Sequence, residues 1–443
     1  MSRPDYSAYT VGLITLGCKV NQYESEAIAE RFAAAGFTPA APGDICDITV
    51  INTCTVTAES DRKARQMIRR ARSANPDGYI LVTGCLAQTD PHQVADIAGV
   101  DFVCGNTDKQ AVVEAACRLV EQGCKNRQPQ ILHRSLDGSA FEEMTITHFD
   151  RTRAYIKIED GCENHCSYCA IPAARGPVRS KSPDAVLQEV RTLVSGGCRE
   201  VVLTGIETAS YGKDLPSCTL ANLLEAVDAI LGIGRVRLGS LDPSLMKQAF
   251  VDRIACLPSL APHFHLSMQS GSDTVLARMK RKYNRSMALA GMERLRKAIP
   301  GVQFTTDMIV GFPQETDAEF EETLDFVRRA EFLMIHVFRY SARAGTAAAE
   351  MPGQVPEPVR AERSRILTET ETAVRRKILD AAVGKTYPVL FESREGGRIC
   401  GHTPEFFEVA VPDICAEHGE ILPVTIESHN GNLCFGRVSE RKD

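Results

Sequence analysis

"RAYIKIEDGCENHCSYCAIP", residues 153–172, runs from an alternating apolar and polar segment straight into a loop holding Cys162, Cys166 and Cys169. Residues 154–158 read as a β-strand, in which Lys157 and Glu159 oppose Ile156 and Ile158. The C-x3-C-x2-C spacing that follows is short enough for one loop to wrap a metal centre, with Tyr168 just before the last cysteine. Closed structural zinc sites and ordinary ferredoxin clusters take four protein ligands. Two completions suit a set of three. Zinc could take His165 as fourth ligand, although that residue lies between two ligands and must turn back sharply. A [4Fe–4S] cluster could instead leave one iron open to a small molecule.

Outward from this loop, candidate strands at 154–158, 200–204, 235–240, 263–268, 303–309 and 333–338 alternate with helical segments. Six such units predict a partial (β/α)6 barrel within a domain over 148–380. In "HFHLSMQ" (263–269), His263, His265, Ser267 and Gln269 share one face, and Phe264, Leu266 and Met268 the other. Ordinary barrels of this class fill the lumen with branched apolar side chains. Here the apolar face is expected to meet the helices, leaving a polar lumen suited to a nucleotide-like cofactor. Ser267 and Gln269, at the carboxyl end of the strand, are candidate cofactor contacts, with Gly205 as a point of close backbone approach.

Residues 10–124 read as an N-terminal α/β domain. "VGLITL" (11–16), "ITVI" (48–51), "YILV" (79–82) and "DFV" (101–103) are strands separated by helices, predicting a doubly wound parallel sheet. Asn21 and Glu24 read as a capping-box pair, Asp90 as an N-cap ahead of Pro91, and Thr107 with Gln110 as the cap of the last helix. Cys18, Cys54 and Cys85 each sit one or two residues beyond a predicted strand end. The carboxyl ends of an open parallel sheet form one edge where ligands gather, so these three are expected to converge as a second metal site. Cys104 lies at the same edge, either as a packed thiol or as a fourth ligand.

Residues 381–443 change character. Short strands such as "YPVLFES", "FFEVAV", "LPVTIES" and "LCFGRV" suggest a small all-β barrel of the OB type, a class that binds RNA through a strand face and loops. Phe406, Phe407 and Phe435 are available there either to stack bases or to pack a core.

Composition bounds these readings. The chain of 443 residues has 16 cysteines and a net charge of −6. It has no apolar run of membrane-spanning length and no signal peptide, which points to the cytoplasm and to metal or redox use of the cysteines rather than disulfides. The acidic balance argues against non-specific nucleic-acid binding by the whole chain. Basic runs at 61–72 and 278–286 read as solvated helix faces, with Arg69 and Arg70 as weaker candidates for phosphate contact.

The cysteine loop resembles that of the radical S-adenosylmethionine enzymes. "GCKVNQYESE", "NTCTVTAESDRKARQ", "TGCLAQ", "DGCENHCSYCAIPAARGPVRS", "VVLTGIETASYG", "HFHLSMQSGSD" and "DMIVGFPQET" together resemble the methylthiotransferases of that superfamily. Among these the chain looks most like the branch acting on N6-threonylcarbamoyladenosine of tRNA, and the match covers nearly its whole length. Two positions depart from the family pattern: "PAARG" replaces "PYARG", and Glu207 stands where His or Asn is common. The resemblance implies an N-terminal methylthiotransferase domain, a radical barrel and a C-terminal RNA-binding TRAM barrel. It implies two [4Fe–4S] clusters, one on Cys162, Cys166 and Cys169 with S-adenosylmethionine as fourth ligand, and one on Cys18, Cys54 and Cys85. The implied product is the 2-methylthio derivative at tRNA position 37, made with two S-adenosylmethionine molecules, an electron donor and a sulfur source. A methylthiotransferase acting on an aspartate of a ribosomal protein, or a non-catalytic iron–sulfur RNA-binding or electron-carrier protein, are the alternatives.

Overall fold

The computed structural model describes residues 5–41, 43–125, 128–149 and 151–439. Residue 42, residue 150 and residues 440–443, one set in each of the three predicted domain spans, lie outside the described residues.

The N-terminal sheet contains β1 (Thr10–Thr15), β2 (Thr38–Pro39), β3 (Ile48–Thr53), β4 (Tyr79–Gly84), β5 (Phe102–Cys104) and β6 (Gln130–Leu132). They lie in the order β2-β1-β3-β4-β5-β6, every pairing parallel. Strands covered on both faces read as continuous apolar runs, and Ile48, Val50, Ile51, Leu81 and Val82 are all fully buried. The short β2 and β6 carry no such run and were not legible in the sequence. Helices α1 (Lys19–Ala35), α2 (Ala58–Ala74) and α3 (Cys85–Thr89) follow β1, β3 and β4.

Capping differs from expectation. Cys18, not Asn21, is the N-cap of α1, and no side chain caps it. Asn21 and Glu24 lie inside the helix and are buried, held by long-range polar contacts. Asp90 does precede the short helix Pro91–Ala95, but its side chain makes no cap bond. The helix Gln110–Gln122 has Lys109 as N-cap, and Asp108 rather than Thr107 accepts from its first turn, at Ala111 N.

The middle of the chain contributes β7 (Arg153–Lys157), β8 (Glu159–Asp160), β9 (Arg179–Ser180), β10 (Glu200–Thr204), β11 (Arg235–Leu238), β12 (Ser240–Leu241), β13 (His263–Gln269), β14 (Gln303–Val310) and β15 (Met334–Arg339). Parallel sheets β11-β10-β7 and β12-β13-β14-β15 meet where the chain breaks at Gly239 between β11 and β12. The result is the expected six-unit partial barrel. Phe264, Leu266 and Met268 are fully buried in the apolar layer, while His265, Ser267 and Gln269 on the other face keep contact with the lumen. The paired β8 and β9 pin the base of the cysteine loop.

A helix, Glu357–Asp380, leads to β16 (Thr386–Glu395), β17 (Arg398–His402), β18 (Glu408–Pro412), β19 (Ile421–His429) and β20 (Cys434–Val438), closed as β16-β17-β18-β20-β19. This small barrel covers the amino ends of the larger one. Arg237 Nη1 and Nη2 donate to the carbonyls of Pro404 and Thr403, and Arg235 Nη2 to that of Pro388. Arg153 Nη2 donates to Glu392 at 3.0 Å. Burial raises the carboxyl of Glu200, but Arg237 and Arg235 overcome it and hold it at about 2. Phe406 stacks between His263 and His402, with ring centroids 4.5 and 4.8 Å away, under the Arg237 guanidinium. Phe407 is buried in the small barrel's core. Neither ring is free to stack a base, because closing a barrel needs apolar side chains inside and at its docking face. Phe435 lies beneath Arg398 at 4.8 Å.

Candidate functional site

The carboxyl ends of β1, β3 and β4 are neighbours in the sheet, so the loops after them bring Cys18, Cys54 and Cys85 to one edge. Gly17 makes the close approach: its φ is +106°, and a Cβ there would lie 2.7 Å from Cys54 Cβ. Val56 N donates to Cys54 Sγ at 3.5 Å, and Cys85 Sγ accepts from Arg175 Nε at 3.2 Å and Asn106 Nδ2 at 3.7 Å. Cys104 stays outside this group: it is fully buried, and its thiol donates to Asp108 O at 3.1 Å.

The second triad lies at the carboxyl end of β7. Asn164 N donates to Cys162 Sγ and Ile171 N to Cys169 Sγ, both at 3.4 Å, and Arg281 Nη1 reaches Cys166 Sγ at 3.3 Å. Such donors stabilise negative sulfur. Burial pushes the free thiols of Cys162 and Cys169 up to about 12 and about 11, and that of Cys54 to about 11. As neutral thiols they are poor ligands, so metal binding must release their protons.

Cys18 of the first triad and all three cysteines of the second line one cavity of ≈330 Å³, with Val56 and Thr57 beside Cys18 on the N-terminal side. Cys18 has accessible surface, and that surface faces this cavity. Among the described residues no three His, Cys, Asp or Glu side chains stand close enough to share one metal ion. A four-iron cluster needs a wider set, because each cysteine takes a different iron of the core. The donor set fits that group: three cysteines, N–H groups aimed at sulfur, and room left for a further ligand. His165 is exposed and does not line the cavity, so a zinc site with His165 as fourth ligand has no support.

Gly205, Ser267 and Gln269 line the same cavity. A Cβ at Gly205 would stand 2.7 Å from Glu159 Oε2, which also accepts from Glu207 N at 2.7 Å. Gln269 has φ +66° where the register of β13 against β14 shifts, so the strand end is bent toward the lumen. Burial, reinforced by Asp242, pushes the Glu207 carboxyl up to about 7, and Asn164 Nδ2 donates to it at 3.2 Å.

Sequence reasoning missed the polar scaffold behind the cysteines. Arg175, of the "PAARG" segment, is fully buried; besides Cys85 it donates to Asn21 Oδ1 at 2.6 Å, to Glu24 and to Asp160 Oδ2 at 3.2 Å. Lys157 Nζ reaches Glu24 at 2.8 Å and Asp160 at 2.7 Å. Burial raises Glu24, yet Arg175, Lys157 and Lys109 hold its carboxyl well below the usual range. Asn21 and Glu24 looked like a local cap because their i, i+3 spacing is the same for both uses. Arg281 was hidden in the basic run 278–286; its Nη2 donates to Asp242 at 2.9 Å and to Ser267 O at 2.9 Å. Its unlike neighbour in that run is Tyr283, a buried ring under the Arg281 guanidinium at 4.9 Å, and that was the available signal. Arg69 and Arg70 are exposed.

Two family profiles match the chain: the radical SAM superfamily over residues 156–327, and the uncharacterized protein family UPF0004 over residues 10–105. A threonylcarbamoyladenosine tRNA methylthiotransferase of Bacillus subtilis is 39% identical, over 94% of this chain and 93% of its own. A tRNA-2-methylthio-N(6)-dimethylallyladenosine synthase of Moorella thermoacetica is 36% identical, over 86% and 87%. Among solved structures, the radical S-adenosylmethionine methyltransferase TsrM of Kitasatospora setae, bound to tryptophan and a SAM analogue, has a TM-score of 0.58 over 83% of this chain and 89% of that one. At 13% identity, that likeness concerns the fold alone.

Proposed function

Because the chain belongs to the radical S-adenosylmethionine tRNA methylthiotransferases, we propose that it places a methylthio group on C2 of N6-threonylcarbamoyladenosine at tRNA position 37. Members of this superfamily use S-adenosylmethionine and [4Fe–4S] clusters. The observation that carries the reading is Cys18, from one cysteine triad, facing Cys162, Cys166 and Cys169 of the other across one cavity. A reaction that both activates a C–H bond and delivers sulfur needs two such centres within reach of a single base.

In this reading Cys162, Cys166 and Cys169 hold a radical-generating cluster, and Cys18, Cys54 and Cys85 an auxiliary one. When bound, the clusters and S-adenosylmethionine supply hydrogen abstraction and the methylated sulfur; the chain supplies positioning. Arg281 joins Cys166 to the carbonyl of Ser267, so the cluster loop and the cofactor wall are set by one side chain. Arg175 joins the first loop to Cys85 and so fixes one triad relative to the other. The N-terminal unit and the small barrel flank the two ends of the lumen, which limits the directions from which water reaches it. Gly205, Ser267 and Gln269 are the contacts to S-adenosylmethionine in this reading, supported by their position in the lining of the same cavity. An unpaired base next to the anticodon can enter without melting a helix. The electron donor and the sulfur source act from outside this chain.

The test offers one anaerobically reconstituted preparation four substrates: tRNA carrying threonylcarbamoyladenosine, plain adenosine or dimethylallyladenosine at position 37, and the ribosomal protein. Mass spectrometry of the digests is expected to find the methylthio group on threonylcarbamoyladenosine. Modification of dimethylallyladenosine would keep the chemistry and overturn the branch; modification of the ribosomal protein alone would overturn the substrate class. Iron content is expected near eight atoms per chain, two four-iron clusters, falling to about four when either triad is changed to Ala.

A further inference from the structure

Further toward the amino end of β13 from Ser267 and Gln269, a second chamber of ≈250 Å³ is lined by His263 and His265 of the same strand. Inward-facing residues of a strand are spaced by about 7 Å, so His265 stands one step below Ser267 and His263 two. The wall is rich in cations and imidazoles: Lys19, Arg153, Arg237, His263, His265 and His336.

These groups are not equally engaged. Arg153 is taken by Glu392, and Arg237 by Glu200 and the small barrel's carbonyls. His265 shares its Nδ1 with Thr305 Oγ1 at 2.9 Å, and its Nε2 stands 3.4 Å from Asp307. Lys19 is different. It follows Cys18 at the start of α1 and enters the chamber, yet makes no hydrogen bond or ion pair to any described residue. His263 is 4% exposed and its Nδ1 has no partner. Lys19 keeps accessible surface and no hydrogen bond or ion pair holds its ammonium, so beside two guanidiniums it is available to an entering anion.

We propose that this chamber receives the carboxylate at the end of the N6 substituent of the substrate adenosine, with Lys19 as its ion-pair partner and His263 and His336 as further polar contacts. The inference rests on the threonylcarbamoyladenosine reading and deepens it. That substituent ends in a carboxylate several bonds beyond N6, which lets the base stay at the level of the cysteines while the charge reaches the lower chamber. A dimethylallyl group is neutral and apolar; it offers Lys19 no counter-charge and the buried His263 no polar contact, so the chamber selects against it. Lys19 is thus a specificity-determining residue of the reaction.

The experiment measures binding of reconstituted full-length enzyme to anticodon stem-loop RNAs that differ only at N6: threonylcarbamoyl, its methyl ester, dimethylallyl, and plain adenosine. Wild type is expected to bind the free acid about ten-fold tighter than the ester, the loss of one charge-assisted contact. Lys19→Met is expected to abolish that difference, and Lys19→Arg to keep most of it. Iron content, measured for each variant, shows whether the neighbouring Cys18 still holds its metal. The acid–ester comparison on wild type needs no variant, so a chain that fails to load iron does not spoil the test. Equal affinity of wild type for acid and ester, with both preferred to plain adenosine, would overturn the chamber and leave the substrate reading standing. Equal acid preference in wild type and Lys19→Met would overturn the role of Lys19. Preference of wild type for the dimethylallyl RNA over the acid would overturn the substrate reading itself.

Discussion

Arg175 connects three pieces of chain that are far apart in sequence: the segment after the cysteine loop, helix α1 and Cys85. Its side chain is fully buried, so its charge is tolerable only because Glu24 and Asp160 face it. Glu24→Ala should therefore cost about 3–5 kcal/mol in urea unfolding, since Arg175 and Lys157 would be left as uncompensated buried charges. Glu24→Gln should cost less, because the amide oxygen still accepts one bond. Arg175→Lys keeps the charge but loses the fork that reaches Asn21, Glu24 and Cys85 together. The expected outcome is a chain that retains the iron of the Cys162 loop and holds that of the Cys18, Cys54 and Cys85 triad more weakly. Iron analysis after timed chelator exposure measures this, and identical iron loss from both sites would show that Arg175 does not act through Cys85.

At the scale of elements, the amino end of β11 and the loop after β17 form one interlocked joint. Glu200 takes Arg235 and Arg237 at 2.9 and 2.8 Å, and the two arginines pass on to carbonyls of the small barrel. Because the folded carboxyl sits at about 2 against an ordinary 4.5, its contribution is present above pH 4.5 and is lost as pH falls toward 2. The amount at stake is about 3 kcal/mol. Urea midpoints followed from pH 6 to pH 3 should fall more steeply for wild type than for Glu200→Gln, whose amide does not titrate in that range. Phe406→Ala removes the ring held between His263 and His402 and should cost about 2–3 kcal/mol, somewhat less than a fully buried phenylalanine. Equal midpoints for Phe406→Ala and wild type would show that the joint does not depend on this ring.

In the whole molecule the larger barrel is flanked at both ends by other parts of the same chain. Arg343, after β15, donates to Asp61 and Thr55 of the N-terminal unit, while the small barrel seals the opposite end. Truncation after residue 384 should thus do two things. It should weaken tRNA binding, and it should lower the melting temperature of what is left, because Arg235, Arg237 and Arg153 lose partners together. Binding of tRNA to the full chain should weaken linearly in log salt despite the net charge of −6, since phosphate contacts release counterions. A flat salt response would argue against phosphate contact as the source of affinity. No helix among the described residues is long and apolar enough to cross a membrane.

Local pattern was enough to read the parallel sheet, the six barrel strands, the small closing barrel and the two cysteine triplets. Each of those features is written in short-range periodicity, or in side chains placed at the ends of apolar strands, where one sheet edge collects them. Long-range pairing decided the rest. The spacing of Asn21 and Glu24 suits a helix cap and a buried counter-charge equally, and only the arrival of Arg175 from a region some 150 residues away selects the second. Phe406 and Phe407 are adjacent and alike in sequence, yet one fills a core and the other plugs a neighbouring barrel, because docking two barrels sets which face is buried. Lys19 reads as one more charged residue at a helix start. That it lines a chamber rich in basic side chains follows from the packing of the N-terminal unit against the barrel, a relation that no local segment encodes.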